Sequence, residues 1–403
     1  MKIQKSKRKY YEASVFTGKK RLDLCKLNNK TGIYKILILF IICHLSFNKT
    51  IQSTTFNCEP IYNLLEDSYN NPKYRLEEGL AFIMYVNEKL TCRNFFGPMT
   101  DKRIVKIASA SKWLSAATIL SLIDSGDIAL DDPIDKYLNN LIDSNDHEAF
   151  LKRNITIRQL LSHTHGLSDE IPYNFLPFIS MKEAVKLILQ KPLLFEPGSA
   201  FSYGGVGMQV AGYIGEHITG KSWQNIFYER IAQPLSMKNT RYTSSLPYIT
   251  FKNPNIAGGL ESTLDELGNF VLMIESKGIF NGMPILSGNS VKEMLHNQTN
   301  NIDIIKHPWN EYITFAPDIY NIPYGLGVWL EVVDNITQNG LYAQSSGLYG
   351  TVPFVDVERH VAGVLLSENK RTIELSEGMF AYEPTHIIYI HLRNLIKKLI
   401  PIQ

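Results

Sequence analysis

The chain has 403 residues, of which 44% are hydrophobic, so it can bury one large core or two cooperating subdomains and is not a disordered protein. Its formal charge is +2, from 41 basic and 39 acidic residues. Much of the basic excess precedes residue 36, so the remainder is slightly acidic and gives no indication of nucleic-acid binding.

A basic N-terminal leader runs into a short apolar segment at residues 36–47. This segment is shorter than the roughly 20 residues of a membrane-spanning helix, but it suits the apolar core of a signal peptide. We therefore expect residues 1–55 to be a targeting leader and residues 56–403 to form the folded domain, either secreted or anchored to a membrane. The long basic region leaves a signal anchor open, its low acidity leaves a mitochondrial address open, and a buried N-terminal helix is the remaining alternative.

The four cysteines divide between the leader and the folded part. Cys25 and Cys43 fall in the leader, and Cys58 and Cys92 follow it. In an oxidising compartment the latter two can form one disulfide, with two unpaired buried thiols as the alternative. Three Asn-x-Ser/Thr triplets would accept glycans only on a secreted chain, at Asn154, Asn297 and Asn335.

The folded part begins with patterns typical of a helix, a hairpin and a second, longer helix. A helix is predicted at 60–65, and two apolar runs at 79–86 and 90–96, separated by Asn87-Glu88, predict a β-hairpin. Residues 104–123 then carry alanines and aliphatic residues at helical spacing, which predicts one long buried helix that begins near Ser109.

The rest of the chain predicts a helical insertion followed by strands. From about 130 to 246, helical segments alternate with loops rich in Gly, Pro and Ser. Beyond it we predict helices at 264–274, 290–295 and 385–399, and strands at 325–333, 352–356 and 361–367. Strands at both ends predict an α+β fold, in which an antiparallel β-sheet flanked by helices carries an inserted all-helical subdomain.

The pattern Ser-x-x-Lys is common, and its position in the chain selects one copy. It begins at Ser6, Ser46, Ser109 and Ser367. The first two copies lie in the leader, and the last follows a predicted strand into a polar turn. Only Ser109 opens a predicted buried helix, which places Lys112 one turn further along the same face.

This placement suits nucleophilic catalysis. A serine hydroxyl is a weak nucleophile until a base removes its proton, and a neutral buried lysine can act as that base. Backbone N–H groups at the helix N-terminus, that of Ser109 included, can supply half of an oxyanion hole. A helix-capping serine beside a surface lysine is the structural alternative.

Several segments, in the right order over about residues 60 to 395, resemble the superfamily of serine β-lactamases, penicillin-binding proteins and carboxylesterases, closest to its class C-like branch. The nucleophile motif is similar to Ile-Ala-Ser-Ala-Ser-Lys-Trp at 107–113, and the following signatures are similar to segments 126–138 and 157–167. The resemblance implies a β-lactamase/transpeptidase-like fold and an acyl-enzyme on Ser109.

The superfamily's second motif is a tyrosine in a Tyr-x-Asn pattern, and Tyr203-Gly204-Gly205 lies at its place. The resemblance implies that Tyr203 shares proton transfer with Lys112 as a general acid and base. Gly205 replaces an asparagine whose amide often contacts a carbonyl of the acyl side chain, so the departure bears on substrate binding. Simple packing of Tyr203 in a loop is the alternative.

The third motif, usually Lys-Thr-Gly or His-x-Gly on a strand, falls at Ser345-Ser346-Gly347. The resemblance implies that these three residues and Gly205 contact the substrate, and that the backbone N–H of Leu348 is the second oxyanion donor. Ser345 stands where a cationic or imidazole group usually lies. Its lack of charge argues against recognition of a substrate carboxylate, and so against efficient β-lactamase action.

Two histidines, His163 and His165, raise the question of a metal site. No acidic or cysteine pattern accompanies them, so we expect loop residues that stabilise the subdomain, with no metal and no cofactor. The absence of Gly-x-Ser-x-Gly argues against a Ser-His-Asp triad.

The sequence therefore predicts a serine hydrolase that cleaves a small-molecule ester or amide, with an esterase-like preference for small uncharged acyl groups. The alternatives are a β-lactamase or D-amino-acid peptidase, and a catalytically weakened binding or assembly scaffold. No nucleic-acid partner is expected. Membrane contact is left open for the N-terminal apolar segment only, and the oligomeric state is left open.

Overall fold

Strands from both ends of the folded part share one antiparallel sheet. The computed structural model describes residues 56–143, 145, 147–169, 178–243, 252–307, 322–369 and 383–402. Its strands are β1 (Leu80–Val86), β2 (Lys89–Phe96), β3 (Val105–Lys106), β4 (Ala200–Ser202), β5 (Arg241–Tyr242), β6 (Leu260–Ser262), β7 (Ile279–Phe280), β8 (Met283–Pro284), β9 (Asp303–Lys306), β10 (Trp329–Val333), β11 (Gly340–Gln344), β12 (Val352–Asp356) and β13 (Val361–Ser367). The main sheet has six strands in the order β10-β11-β12-β13-β1-β2.

The predicted N-terminal hairpin completes this sheet. β1 and β2 are joined at Asn87 and Glu88, which both have positive φ (49° and 63°), the backbone of the two-residue turn that matches the twist of paired strands. β1 also pairs along its length with β13, from Leu80 opposite Ser367 to Val86 opposite Val361. The hairpin thus joins the N-terminal part of the domain to its C-terminal strands.

Helices cover both faces of the sheet. The helices are α1 (Glu59–Asn70), α2 (Ser111–Asp124), α3 (Asp135–Leu138), α4 (Ala149–Arg153), α5 (Ile157–Leu161), α6 (Met181–Leu189), α7 (Val206–Thr219), α8 (Trp223–Phe227), α9 (Leu264–Glu275), α10 (Gly288–Met294) and α11 (Glu383–Leu399). α9 packs on β1, β12 and β13. On the opposite face Phe354 of β12 packs against Tyr389 of α11, with ring centroids 5.8 Å apart. The predicted α+β fold is confirmed.

The helix after Ser109 is buried on every side. All its residues from Ser111 to Leu122 are buried, as expected of a helix that is apolar all round. α7 and α10 pack against it. Residues 105–106, which the sequence assigned to the helical pattern, instead form β3, so the helix itself begins at Ser111.

Between α2 and β6 the described chain is mainly helical and also contains the short strands β4 and β5. β4 pairs in parallel with β9, and β5 pairs with β6. Local caps define two of the helices: Thr156 with Gln159, and Ser180 with Glu183, each form a reciprocal capping box.

A disulfide joins the first helix to the hairpin. Cys58, directly before α1, is bonded to Cys92 of β2, with their Cα atoms 5.8 Å apart. Of the two alternatives that the sequence left open, the structure therefore contains the bridge. The predicted leader, with Cys25 and Cys43, lies outside the described residues, and no helix within them is long and apolar enough to cross a membrane.

Candidate active site

Ser109 lies in a tight turn directly before the buried helix α2. The turn is a single 3₁₀ unit, Ala108–Ala110, closed by hydrogen bonds from Ala110 N–H to Ile107 O (3.1 Å) and from Ile107 N–H to Leu260 O (3.0 Å). Ala108 has φ +45°, a left-handed conformation that costs a non-glycine residue about 1–3 kcal/mol and recurs at functional sites. Ser109 itself is partly exposed, so a substrate can reach it.

Lys112 lies behind Ser109 in a buried setting. Its side chain is 4% exposed, and its Nζ donates to Ser109 Oγ (3.1 Å) and to Ala257 O (3.1 Å). Among the described residues no carboxylate forms an ion pair with this lysine. A lysine so placed can exchange a proton with the Ser109 hydroxyl without first breaking a salt bridge.

Tyr203 completes the group around Lys112. It follows β4, and its N–H donates to Lys306 O (2.9 Å). Lys112 Nζ lies 4.6 Å from the centre of its ring, over the face, and Trp329 stacks on the ring with a centroid distance of 5.2 Å. The structure thus brings Tyr203 together with Ser109 and Lys112, although 90 residues of chain lie between Lys112 and Tyr203.

The segment that follows β11 lies against the Ser109 turn. Ser345 Oγ donates to Ser109 O (3.4 Å), and an added Cβ on Gly347 would lie 2.1 Å from Ile107 O, so only glycine fits there. Ser346 is directed elsewhere, since its hydroxyl donates to Gln344 Oε1 (2.7 Å). Leu348 is 39% exposed at the end of this segment.

Gly205 directly precedes α7 and lies two residues after Tyr203, and its backbone is held by an acidic residue. Its N–H donates to Asp169 Oδ2 (3.1 Å), and that same oxygen would lie 2.3 Å from a Cβ on Gly204. Lys306 Nζ lies 4.0 Å from Asp169 Oδ2. The carboxylate of Asp169 therefore lies beside Gly205, the position at which the superfamily has an asparagine and this chain has none.

Sequence reasoning missed three aromatic residues that surround Tyr203. His163 and Trp329 contact its ring directly, and Tyr324 is 6.2 Å from it between centroids. The glycines that follow Tyr324 are a signal from which this contact with the site could have been predicted. Gly327, at φ +74°, lies so close to α2 that an added Cβ would be 2.6 Å from Lys112 O. A glycine pair inside an apolar run indicates such an approach.

The two histidines differ in what they contact. His165 Nδ1 accepts from Leu167 N–H (2.9 Å) within its own loop, and burial lowers its pKa to about 4. His163 faces Tyr203 and Tyr324. Within the described ranges no group of three or more His, Cys, Asp or Glu side chains is arranged to hold a metal ion.

The arrangement agrees with the match to known proteins. Residues 73–382 match the model of the β-lactamase family. The chain belongs to the β-lactamase family. A solved structure of a candidate β-lactamase from Bacteroides dorei superposes with a TM-score of 0.72 and 29% identity, covering 86% of this chain and 99% of that one.

Named hydrolases are among the relatives of this β-lactamase-family chain. The esterase EstB of Burkholderia gladioli is 28% identical over 195 residues, which cover 43% of this chain and 45% of the esterase. The D-alanyl-D-alanine-carboxypeptidase/endopeptidase AmpH of Escherichia coli is 28% identical over 153 residues, which cover 37% of this chain and 39% of that enzyme. The protein is therefore a serine hydrolase of the β-lactamase family.

Proposed function

We propose that this protein hydrolyses an ester or amide through an acyl-enzyme on Ser109. The observation that carries the proposal is the 3.1 Å contact between Lys112 Nζ and Ser109 Oγ at the start of a buried helix. In the attacking step the Ser109 oxygen bonds to the substrate carbonyl carbon while its proton passes to the Lys112 amine. The bond from the carbonyl carbon to the leaving group then breaks, and Lys112 and Tyr203 pass the proton to the leaving group. Water attacks the acyl-enzyme in the same way, which breaks the bond to Ser109 Oγ, returns the proton to the serine and releases the acid.

Two backbone N–H groups form the oxyanion hole of this proposal, those of Ser109 and Leu348. The contact of Gly347 with Ile107 supports the pairing, because it brings the end of β11 against the turn that holds Ser109. Donors of this kind contribute about 3–4 kcal/mol each to the stability of the transition state in other hydrolases. An exposed Leu348 leaves the approach to this pair of donors open.

The proposed preference is for esters with small uncharged acyl groups. Ser345, 3% exposed and hydrogen-bonded to the Ser109 turn, offers no positive charge to a substrate carboxylate. The similarity to an esterase supports this choice, and the similarity to a carboxypeptidase supports peptidase or β-lactamase action as the second candidate. Gly205, Gly347 and the backbone of Ser346 would border the substrate, since the Ser346 hydroxyl donates to Gln344.

Covalent labelling tests this function directly. Purified protein is incubated with a fluorophosphonate probe and, separately, with a penicillin, and each adduct is located by mass spectrometry of peptides. We expect the fluorophosphonate on Ser109 and a slower adduct with the penicillin, because the probe is neutral and the penicillin carries a carboxylate. Labelling of another serine, or no adduct from either reagent, would contradict the proposal.

We further propose that the protein is secreted or anchored to a membrane by its N-terminal segment. The Cys58–Cys92 bridge supports this location, because disulfides persist mainly in oxidising compartments. Of the three glycan acceptors, Asn154 and Asn335 are exposed, but Asn154 Nδ2 donates to Phe150 O (2.8 Å). Asn335 is therefore the better placed: it lies in the turn between β10 and β11, beside Ile336, which is 92% exposed. Asn297 is 8% exposed and donates to Gln338 Oε1 (2.9 Å), so a glycan there would break a buried contact.

Expression of the full chain in secretory cells is expected to yield a product with a glycan on Asn335. Endoglycosidase should increase its mobility on a gel, and Asn335→Gln should remove most of that shift. Asn297→Gln is the matched control and should leave the shift unchanged. A cytosolic, unglycosylated product would overturn the proposed location.

A further inference from the structure

His163 lies against the proposed general acid and base without a role in the chemistry described above. Its side chain is fully buried, and its ring centroid is 4.8 Å from that of Tyr203. On the other side its Nε2 is 3.2 Å from the hydroxyl of Tyr324. The imidazole therefore lies between Tyr203 and Tyr324, and the ring of Tyr203 faces Lys112.

The backbone of His163 also fixes the strand that carries Tyr203. Its carbonyl accepts a hydrogen bond from Ser202 N–H (3.0 Å), the residue directly before Tyr203. Its φ is +60°, a left-handed conformation that costs a non-glycine residue about 1–3 kcal/mol. His163 thus restrains Tyr203 in two ways: its carbonyl binds the N–H of Ser202, and its ring packs against the ring of Tyr203.

Burial and nearby charge keep this imidazole neutral. Burial is the largest cause that lowers the pKa of His163 well below its ordinary value. Electrostatic interactions with Lys112 on α2, His165 in the same loop and Lys306 on β9 lower the pKa of His163 further. Tyr203 and Tyr324 are the remaining titratable groups in contact, and burial raises the pKa of Tyr324 well above its ordinary value. A neutral ring packs on Tyr203 without adding a positive charge beside the amine of Lys112.

We propose that His163, hydrogen-bonded to Tyr324, is a positioning residue that fixes Tyr203 over Lys112 for proton transfer. This role rests on the proposed function of Ser109, Lys112 and Tyr203. It follows that His163 affects the rate of hydrolysis only through the position of Tyr203. Loss of His163 should then slow acylation without a comparable loss of substrate binding.

The test is a double-mutant cycle on hydrolysis of p-nitrophenyl butyrate, with active sites counted by fluorophosphonate labelling. His163→Gln is expected to lower kcat about 10- to 100-fold, the range for a misplaced catalytic group, and to change KM less than about 3-fold. In a Tyr203→Phe background the same substitution should have no further effect on kcat. Additive losses in the two backgrounds, or an unchanged kcat per labelled site, would overturn the proposal.

His165→Gln is the matched control, because His165 is buried in the same loop (2% exposed) and bonds to Leu167 rather than to Tyr324. It should lower stability and leave kcat per labelled site unchanged. If His163→Gln does not fold, Tyr324→Phe removes the other half of the hydrogen bond, and its effect should also vanish in the Tyr203→Phe background. Wild-type hydrolysis that is absent or independent of Ser109 would overturn the proposed function and this role together, whereas Ser109-dependent hydrolysis with additive losses overturns the role of His163 alone.

Discussion

Replacing Ser109 with alanine is expected to lower the rate of p-nitrophenyl butyrate hydrolysis by about 10⁴-fold or more. Without the hydroxyl no acyl-enzyme forms, and only the oxyanion donors and substrate binding would remain to accelerate direct attack by water. The loss should fall on kcat, because Ser109 is proposed to bond to the carbonyl carbon only after the substrate is bound. Initial rates of purified wild-type and variant protein, matched for folding by circular dichroism, measure it.

The chain provides its own control for this experiment in the Ser-x-x-Lys copy at Ser367. That serine is buried at the end of β13, and its hydroxyl donates to Gly79 O (3.2 Å). Ser367→Ala should cost about 1 kcal/mol of folding stability through the lost hydrogen bond and leave hydrolysis unchanged. Full activity in Ser109→Ala would show that the nucleophile is elsewhere.

Elements with strong local signals could be predicted closely from the sequence. The bounds of β12 and β13 coincide with those expected, since apolar, β-branched runs define the two strands. The hairpin turn at Asn87 and Glu88 was also expected, because both residues lie between two apolar runs. Each of these features depends on residues within a few positions of one another.

Elements that depend on distant partners could not be predicted. β11, Gly340–Gln344, has no alternation of apolar and polar residues and is fixed by pairing with β10 and β12. β4 has three residues and pairs with β9, about a hundred residues further on. The left-handed backbone of Ala108 is likewise unexpected for alanine and is held by the hydrogen bonds of its turn.

The residues of the candidate site likewise fall into those that local sequence could predict and those that it could not. The pairing of Ser109 with Lys112 follows from their spacing at a helix start, whereas Tyr203 and Ser345 could be named only through resemblance to a family. Ala257, whose carbonyl accepts from Lys112, carries no sequence signal, since any residue has a carbonyl. The contact of His163 with Tyr203 arises where two separate segments meet, so the Ser-His-Thr-His pattern alone could not indicate it.

Introducing a positive charge at Ser345 is expected to change substrate preference more than overall activity. In the wild type, a carboxylate entering the cleft lacks a charge-assisted hydrogen bond worth about 1.5–3 kcal/mol, so penicillin acylation should be slower than acylation by neutral esters by roughly 10- to 150-fold. Ser345→Lys should recover much of that factor for carboxylate-bearing lactams, since Ser345 contacts the backbone of Ser109 itself. The measurement is the ratio of penicillin acylation to p-nitrophenyl butyrate acylation in each variant.

The matched control is Ser345→Met, which adds a side chain of similar length without a charge. Any change that comes from filling the space beside the Ser109 turn should appear in both variants, so only the difference between lysine and methionine reports the charge. The ester rate serves as an internal reference, because p-nitrophenyl butyrate has no carboxylate to gain a partner. If the wild-type protein already reacts faster with penicillin than with neutral esters, another cationic side chain must bind the carboxylate. Lys306, whose Nζ lies 4.0 Å from Asp169 Oδ2 beside Gly205, would then be the first residue to replace.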